Sequence, residues 1–359
     1  MKQRKWIKVT AYSVVAILIV AVTIGITVSY SMKKSMKAMY EPLPSLEWQQ
    51  PSILVEEVKA TSKAVEPILT EAEDKAANSV INETVHKPEI GEKSHEFISL
   101  DEEQLAQLRH PDLSKGNSFS MLLLGVDERA GDKGRSDTLI LLAVNPAKER
   151  VMALSIPRDT RTQLPVSESF DKINHAYAYG GTSLAIESVE RLLGVPIAYF
   201  MKTNMEGLMD IVDTLGGVDV SNQRDFTMEG IHFPKGSLHM DGGKALAYIR
   251  MRMEDPAGDI GRTARQRQVL LSAADRVISF RTLGRFPKLL SQLSDSVRTN
   301  LTLEHMMNLA KDYKSSIKQV DTLYLQGRGA TIEGIYYWLP DTADRVRVQK
   351  ELLALLQSP

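Results

Sequence analysis

The longest apolar run in the chain is Val9 to Tyr30 (VTAYSVVAILIVAVTIGITVSY), and no charged residue lies between Lys8 and Lys33. At about 1.5 Å of rise per helical residue, such a run crosses a hydrocarbon core of about 30 Å. Trp6, Tyr12 and Tyr30 stand where interfacial aromatics are expected. The pattern predicts one transmembrane helix over residues 9–32, with residues 1–8 as a cytoplasmic tail. A cleaved signal peptide fits less well, because the run is too long and no A-x-A site follows. From 33 to 115 no apolar period is sustained, and acids outnumber bases. That stretch is expected to be an acidic spacer, partly disordered, with a short helix over Asp101 to Arg109.

From residue 116 to 359 the pattern is that of a compact domain. Phe119 to Val126 (FSMLLLGV) reads as a buried strand. Thr138 to Val144 and Arg150 to Ile156 read as two more, joined by the turn NPAKE. Thr182 to Leu193 is an amphipathic helix, with Thr182 as N-cap and Gly194 beyond its end. Pro196 to Lys202 reads as a strand, and Asn204 to Leu215, Gly243 to Arg250 and Gly261 to Ser279 as helices. In the tail, Leu303 to Tyr313 and Asp341 to Leu356 read as helices and Val320 to Leu325 as a strand. Interleaved strands and helices imply an α/β (α+β-like) fold.

Composition changes this picture in two ways. Lys and Arg total 44 against 45 Asp and Glu, which argues against nucleic acid as a partner. Cysteine is absent, which fits an extracytoplasmic domain built without disulfides. Lys2, Arg4, Lys5 and Lys8 precede the apolar run, while Lys33, Lys34 and Lys37 follow it. The positive-inside bias therefore places the N-terminus in the cytoplasm and the large domain outside.

The candidate chemistry is concentrated in two stretches. Tyr248 to Arg267 (YIRMRMEDPAGDIGRTARQR) carries Arg250, Arg252, Arg262, Arg265 and Arg267, with Asp259 just before the second helix. Arginine is planar and forked, so a cluster of it suits a phosphate dianion or a polyphosphate. Arg262, Arg265, Gln266 and Val269 share one helical face, and their place at a helix N-terminus also favours an anion. Arg267, Gln268 and Arg276 are expected on a solvated face. The other stretch runs from Gly125 to Asp159. If the strands Thr138–Val144 and Arg150–Ile156 within it form an antiparallel hairpin, Arg135 and Asp137 lie beside Arg158, and Asp127 reaches the same edge. Read alone, these residues also suit surface salt bridges and turns. Taken together, two acids and several arginines suit a divalent cation such as Mg²⁺ bridging a diphosphate. No G-x-S-x-G elbow, Walker A run or H-E-x-x-H motif is present. His175, in KINHAYAYGG, suits either substrate orientation or a core role.

The segments GVDERAGDKGRSDT, LSIPRDT, KINHAYAYGG, LGGVDV, LHMDGGKALAYIRMR and DIGRTARQRQVL resemble, in order, motifs of the LytR–CpsA–Psr family of bacterial envelope proteins. The resemblance spans about Ser118 to Leu271. It implies a central mixed β-sheet flanked by helices, with a hydrophobic pocket for a polyprenyl tail. The implied activity is that of a phosphotransferase. It moves an anionic glycopolymer, of the teichoic acid or capsular polysaccharide type, from an undecaprenyl diphosphate carrier to N-acetylmuramic acid of peptidoglycan. Carried onto this chain, Asp127 and Asp137 are the acids near a Mg²⁺ (or Mn²⁺) site. Arg135, Arg158, Arg250, Arg252, Arg262 and Gln266 form the diphosphate-binding set, with Lys172 and Asp259 as further pocket members. Asp127, Asp137, Arg158 and Asp259 are the candidates for catalysis. Where the family often has a second Gln after Gln266, this chain has Arg267, which is expected at the rim. The other readings are a lipid pyrophosphatase, a membrane-bound transcriptional attenuator and a non-catalytic binder of anionic lipids. The expected location is the cell membrane, with a single pass through the bilayer.

Overall fold

A computed structural model of the chain describes residues 27–44, 46–51, 96–128, 131–167, 169–252, 255–256, 258–279, 286–313 and 319–358. In chain order the elements are α1 (Glu102–Arg109), β1 (Phe119–Val126), β2 (Ser136–Asn145), β3 (Arg150–Ile156), the small hairpin β4 (Arg161–Gln163) and β5 (Phe170–Lys172), and α2 (His175–Leu193). There follow β6 (Tyr199–Asn204), α3 (Met205–Thr214), β7 (Val218–Asn222), β8 (Phe226–Met228), β9 (Ile231–Phe233), β10 (Gly236–Met240), α4 (Gly242–Arg250) and α5 (Gly258–Ser279). The chain continues through α6 (Phe286–Leu293), β11 (Val297–Thr299), α7 (Leu303–Asp312), β12 (Val320–Tyr324), β13 (Gly327–Ile332), β14 (Ile335–Pro340) and α8 (Thr342–Leu356).

Six strands form a mixed central sheet in the order β11-β6-β1-β2-β3-β12. The β1–β2 and β2–β3 pairs are antiparallel, as the NPAKE turn predicts, while β1–β6 and β3–β12 are parallel. Strict alternation divides the strand side chains between two faces. Leu122, Leu124, Leu139, Leu141, Leu154 and Ile156 pack under α2 and α8, against Ile186, Val189, Leu352 and Leu353. Phe119, Met121, Val144 and Val151 face the other way, towards Tyr313, Leu301 and the partly buried Leu309 of α7. A further core joins α3, α4, α5 and the β7–β10 strands around Val212, Phe226, Phe233, Tyr248 and Val269. The architecture is α/β, with helices flanking a mixed sheet.

Two expectations need adjusting. α2 is two helices run together across a kink at Gly181, where φ is 67°, so a helix does start at Thr182, but the Thr182 hydroxyl donates to Glu41 Oε1 at 2.5 Å. The spacer expected over 33–115 is also packed at both of its described ends. Residues 27–39 are helical, and Met32, Ser35, Met36 and Met39 fall on one face at i, i+3, i+4, i+7 spacing. Met36 and Met39 are buried in the core around α3 and α4, and Met32 packs against it. The physical reason is that a methionine stripe is apolar enough to dock, which a reading based on charge alone misses. Tyr40 bridges to Thr299, Glu41 pairs with Lys202 at 2.9 Å, and Leu43, Leu46 and Trp48 pack on the core beneath α2.

Residues 52–95 lie outside the described residues. The chain leaves and re-enters at one place. A Cβ on Gly194 would sit 2.5 Å from both Pro51 Cγ and Gln349 Nε2, and the Gln349 amide hydrogen-bonds both Ile98 N and Ile98 O. The expected transmembrane helix over 9–32 falls largely on residues 1–26, also outside the described residues. Among the described residues no helix is long and apolar enough to cross a membrane.

Candidate active site

The ends of β1 and β2 build one wall of the site. Register slips at Gly125/Val126, so Val126 pairs with Ser136 and the Asp127 amide donates to Arg135 O at 3.0 Å. Such a bulge redirects the side chains that follow it. Gly134 makes the return possible. Its φ is +64°, and a Cβ there would lie 2.0 Å from Asp127 O. Asp127 and Asp137 thereby line one cavity of about 170 Å³, together with Met205, Ile249, Arg250, Arg262 and Gln266. Met205 is the first residue of α3, capped by Asn204, whose side chain accepts from Gly207 N at 2.8 Å. Ile249 and Arg250 end α4, and Arg262 and Gln266 lie one turn apart on α5.

Behind Asp137 runs a rail of alternating charge. Arg158 Nη1 donates to Asp137 Oδ1 at 2.8 Å, and Arg158 Nε lies 3.8 Å from Asp159 Oδ2. Asp159 Oδ1 takes the Lys172 ammonium at 2.7 Å. Each of these side chains is roughly four-fifths buried, so the charges are partly shielded from solvent screening. Arg158 and Lys172 thus join the site through partners, Asp137 and Asp159. The second of these was not singled out from the sequence, although it stands within LSIPRDT.

The remaining candidates separate. Arg250 lines the cavity while pairing at 3.1 Å with Glu229. Arg135 is exposed, and Arg252 is exposed and does not line the cavity. Asp259 lies in the first turn of α5, and its side chain is outside the described residues. Arg265 shares the expected helical face but turns into the protein. It donates to Asp255 Oδ2 at 2.6 Å and to Met251 O at 2.5 Å, with the rings of Phe226 and Tyr248 beside it. Gly261 permits this, since a Cβ there would meet Asp255 Oδ2 at 1.9 Å.

Arg267 is a correction. It is only 8% exposed, not at a rim. It donates to Ser155 Oγ at 3.0 Å and lies 5.5 Å from the Tyr324 ring, and burial pulls its guanidinium below its usual value against the pull of Tyr324. Its position on α5, 100° around from Gln266, aims it at the central sheet. Gln268 is likewise engaged, accepting from the Tyr248 hydroxyl at 3.1 Å, and Arg276 pairs with Asp219.

One neighbouring network has no counterpart in the sequence reading. Tyr177 donates to Glu128 Oε2 at 3.0 Å, and its ring lies under Lys202, 5.4 Å from the ammonium. Lys202 in turn holds Glu41. Burial lowers the Lys202 ammonium, but hydrogen bonds with Glu41 and Tyr177 outweigh it and hold the group above its ordinary value. The residue following Asp127 is thus tied to the N-terminal segment.

The donor set decides what kind of ligand suits the cavity. Three cationic or amide side chains face two carboxylates across a small space. Gln266 is buried, and its Oε1 has no hydrogen-bond partner among the described residues. Among the described residues no group of three or more His, Cys, Asp or Glu could hold a metal by itself. Mg²⁺ typically takes one or two carboxylates and completes its shell with phosphate oxygens and water. The Asp127–Asp137 pair therefore fits an ion that shares its coordination with a diphosphate.

Known proteins share sequence and fold with this chain. The LytR_cpsA_psr family model matches residues 76–354. A polyisoprenyl-teichoic acid–peptidoglycan teichoic acid transferase, TagU of Bacillus mycoides (strain KBAB4), is 46% identical over 233 residues, or 64% of this chain and 77% of the relative. The crystal structure of Bacillus subtilis TagU is 38% identical and superposes with a TM-score of 0.57 over 68% of this chain and 98% of that one. A crystal structure described as a transcriptional regulator from Enterococcus faecalis is 37% identical, with a TM-score of 0.63 over 68% of this chain and 90% of that one. On the extent of the family match and the identity to its members, the chain belongs to the LytR–CpsA–Psr family.

Proposed function

We propose that this protein transfers an anionic glycopolymer of the teichoic acid type from an undecaprenyl diphosphate carrier to peptidoglycan, forming a phosphodiester at N-acetylmuramic acid. The observation that carries the reading is the meeting of Asp127, Asp137, Arg250, Arg262 and Gln266 in one cavity, with Arg158 behind Asp137. The names of its relatives supply the substrate class. The acceptor hydroxyl oxygen attacks the phosphorus nearer the glycopolymer. The bond from that phosphorus to the bridging oxygen breaks, and lipid phosphate leaves without needing a proton.

Arg250 and Arg262 line the space the diphosphate would occupy and would balance the charge that builds on the phosphoryl oxygens. Arg158 steadies Asp137, and Lys172 steadies Asp159. The acceptor proton passes to a carboxylate. Asp127 lines the cavity, and Asp259 lies in the first turn of the helix that supplies Arg262 and Gln266. Asp127 and Asp137 would hold Mg²⁺ or Mn²⁺, which when bound would polarise the phosphoryl oxygens. The apolar run Val9 to Tyr30 supports a single-pass anchor with the domain on the outer face, close to its lipid substrate.

Replacing Arg158 or Asp137 with Ala should abolish lipid phosphate release from a defined lipid-linked donor, measured per mole of folded protein. Full release by both variants would sink the site assignment. A lipid pyrophosphatase would use the same cavity. Added peptidoglycan oligomers separate the two, because transfer gives a phosphodiester-linked product and hydrolysis does not.

A further inference from the structure

A transferase needs a place for its acceptor as well as its donor. The cavity described above is small and charged, which suits phosphate and not a saccharide ring. Beside it, on the side of the rail where Lys172 ends, lies a patch of different character. Asp171 Oδ2 accepts from both His175 Nδ1 at 2.9 Å and the Tyr179 hydroxyl at 3.0 Å, while Asp171 Oδ1 accepts from Lys172 N at 2.7 Å. The His175 and Tyr179 rings meet edge to face, with centroids 6.1 Å apart.

Tyr179 is 56% exposed, on the short helical stretch between His175 and the kink at Gly181. An exposed tyrosine adds little to a core, yet this one is held in a fixed attitude. Burial would raise the Asp171 carboxyl, but hydrogen bonds from His175 and the Lys172 amide outweigh it and hold Asp171 below its usual value, as a carboxylate. A carboxylate only accepts, so Nδ1 of His175 is the donor in this pair, and the other ring nitrogen, Nε2, takes no part in it. Asn174, next in the chain, is 3% exposed. Its amide donates to Arg158 O at 3.2 Å, and its Oδ1 is buried with no hydrogen-bond partner among the described residues.

We infer that Tyr179, His175 and Asp171 form a subsite for the glycan of the acceptor, with the Tyr179 ring as a platform for a sugar face and His175 Nε2 as a hydrogen-bonding partner for a sugar hydroxyl. The inference rests on the transfer reaction proposed above. An amphipathic ring with its hydroxyl tied down suits a ligand that is apolar on its faces and polar at its edges, as a pyranose is. The patch is joined to the phosphate site at two points. Lys172, adjacent to Asp171, ends the rail that runs through Asp159 and Arg158 to Asp137. Arg135, two residues before Asp137, is close enough to act electrostatically on the Tyr179 hydroxyl. A glycan on this patch would bring a pendant hydroxyl towards the strand ends where the phosphoryl group is held.

The test uses the full chain in detergent, with soluble peptidoglycan oligomers as the probe. Binding of the oligomer is measured by calorimetry without donor, and transfer is then measured with a lipid-linked donor. Tyr179→Ala should weaken oligomer binding about tenfold and raise the acceptor KM by a similar factor, with kcat at saturating acceptor changed less. Tyr179→Phe keeps the ring and should stay within about threefold of wild type, and His175→Ala should fall between the two. Equal oligomer binding by wild type and Tyr179→Ala overturns the subsite, whatever the turnover. So does a change confined to the donor KM, which would assign the ring to the donor sugar. Bound oligomer with no linked product from wild type would overturn the transfer reading and leave the glycan site standing.

Discussion

Arg262 and Arg265 lie three residues apart on the same helix and have opposite roles. Arg262 borders the cavity with Gln266, whereas Arg265 points into the core and is met by Asp255, a main-chain carbonyl and two aromatic rings. Arg267 follows the second pattern by a different route, through Ser155 and Tyr324. The difference lies in the partners, not in the arginines. Where a buried carboxylate waits, the charge is already satisfied by the protein. Where the side chain borders the cavity instead, it shares that space with Asp127, Asp137, Arg250 and Gln266. A dense run of arginines therefore contains two populations that composition does not separate.

The sharpest way to break this comparison is Arg265→Ala. It removes the nearest cation from buried Asp255 and should cost about 3–5 kcal/mol of stability, read as a lower urea midpoint, with the activity of the remaining folded protein nearly intact. A large loss of kcat in folded Arg265→Ala would place it with the substrate-facing group. Arg262→Ala should do the reverse. Transfer should fall roughly 10²-fold, as for loss of one preorganised donor, while the melting temperature moves little. The pair Arg109–Glu190, at 2.5 Å, extends the comparison to a third satisfied arginine. Burial pushes the Glu190 carboxyl up to about 7, against the pull of Arg109 and the Ile197 amide. An acid raised on folding contributes stability that is complete below its unfolded value near 4.5 and lost as pH rises through about 7. Glu190→Gln should flatten that part of the stability curve, and an unchanged slope in urea titrations between pH 5 and 8 would remove Glu190 as its source. The smallest effect is expected at exposed Arg252, where Ala should lower transfer by less than about tenfold, in line with a screened surface charge.

These fates were only partly legible in the sequence. The hairpin of β2 and β3 follows from two apolar runs and a turn, and it brings Asp137 beside Arg158 as the antiparallel geometry requires. Helical spacing likewise puts Arg262 and Gln266 on one face. The same spacing also grouped Arg265 with them, because periodicity says which residues are neighbours but not where a buried acid stands. Asp255 is ten residues away and reaches Arg265 only because Gly261 lets the carboxylate press against the helix. Asp159 was hidden for a related reason. Its importance comes from Lys172, on a two-stranded hairpin whose pairing no local pattern announces. The methionine face of residues 27–39 was overlooked because three exposed lysines, Lys33, Lys34 and Lys37, dominate that stretch by charge.

That docked face changes how the chain's geography should be drawn. Residues 27–51 are fastened to the domain through Met36, Met39, Glu41 and Trp48, and Pro51 and Ile98 arrive at the same corner beside Gly194 and Gln349. Residues 27–51 therefore reach the domain without the acidic stretch from 52 to 95, whose two flanks meet at that corner. Doubling the length of that stretch would cost only about 0.6 kcal/mol of loop closure and would leave the distance from residue 27 to Asp137 as it is. The standoff between the active site and anything attached ahead of residue 27 is therefore fixed by the stiffness of one short, methionine-faced helix.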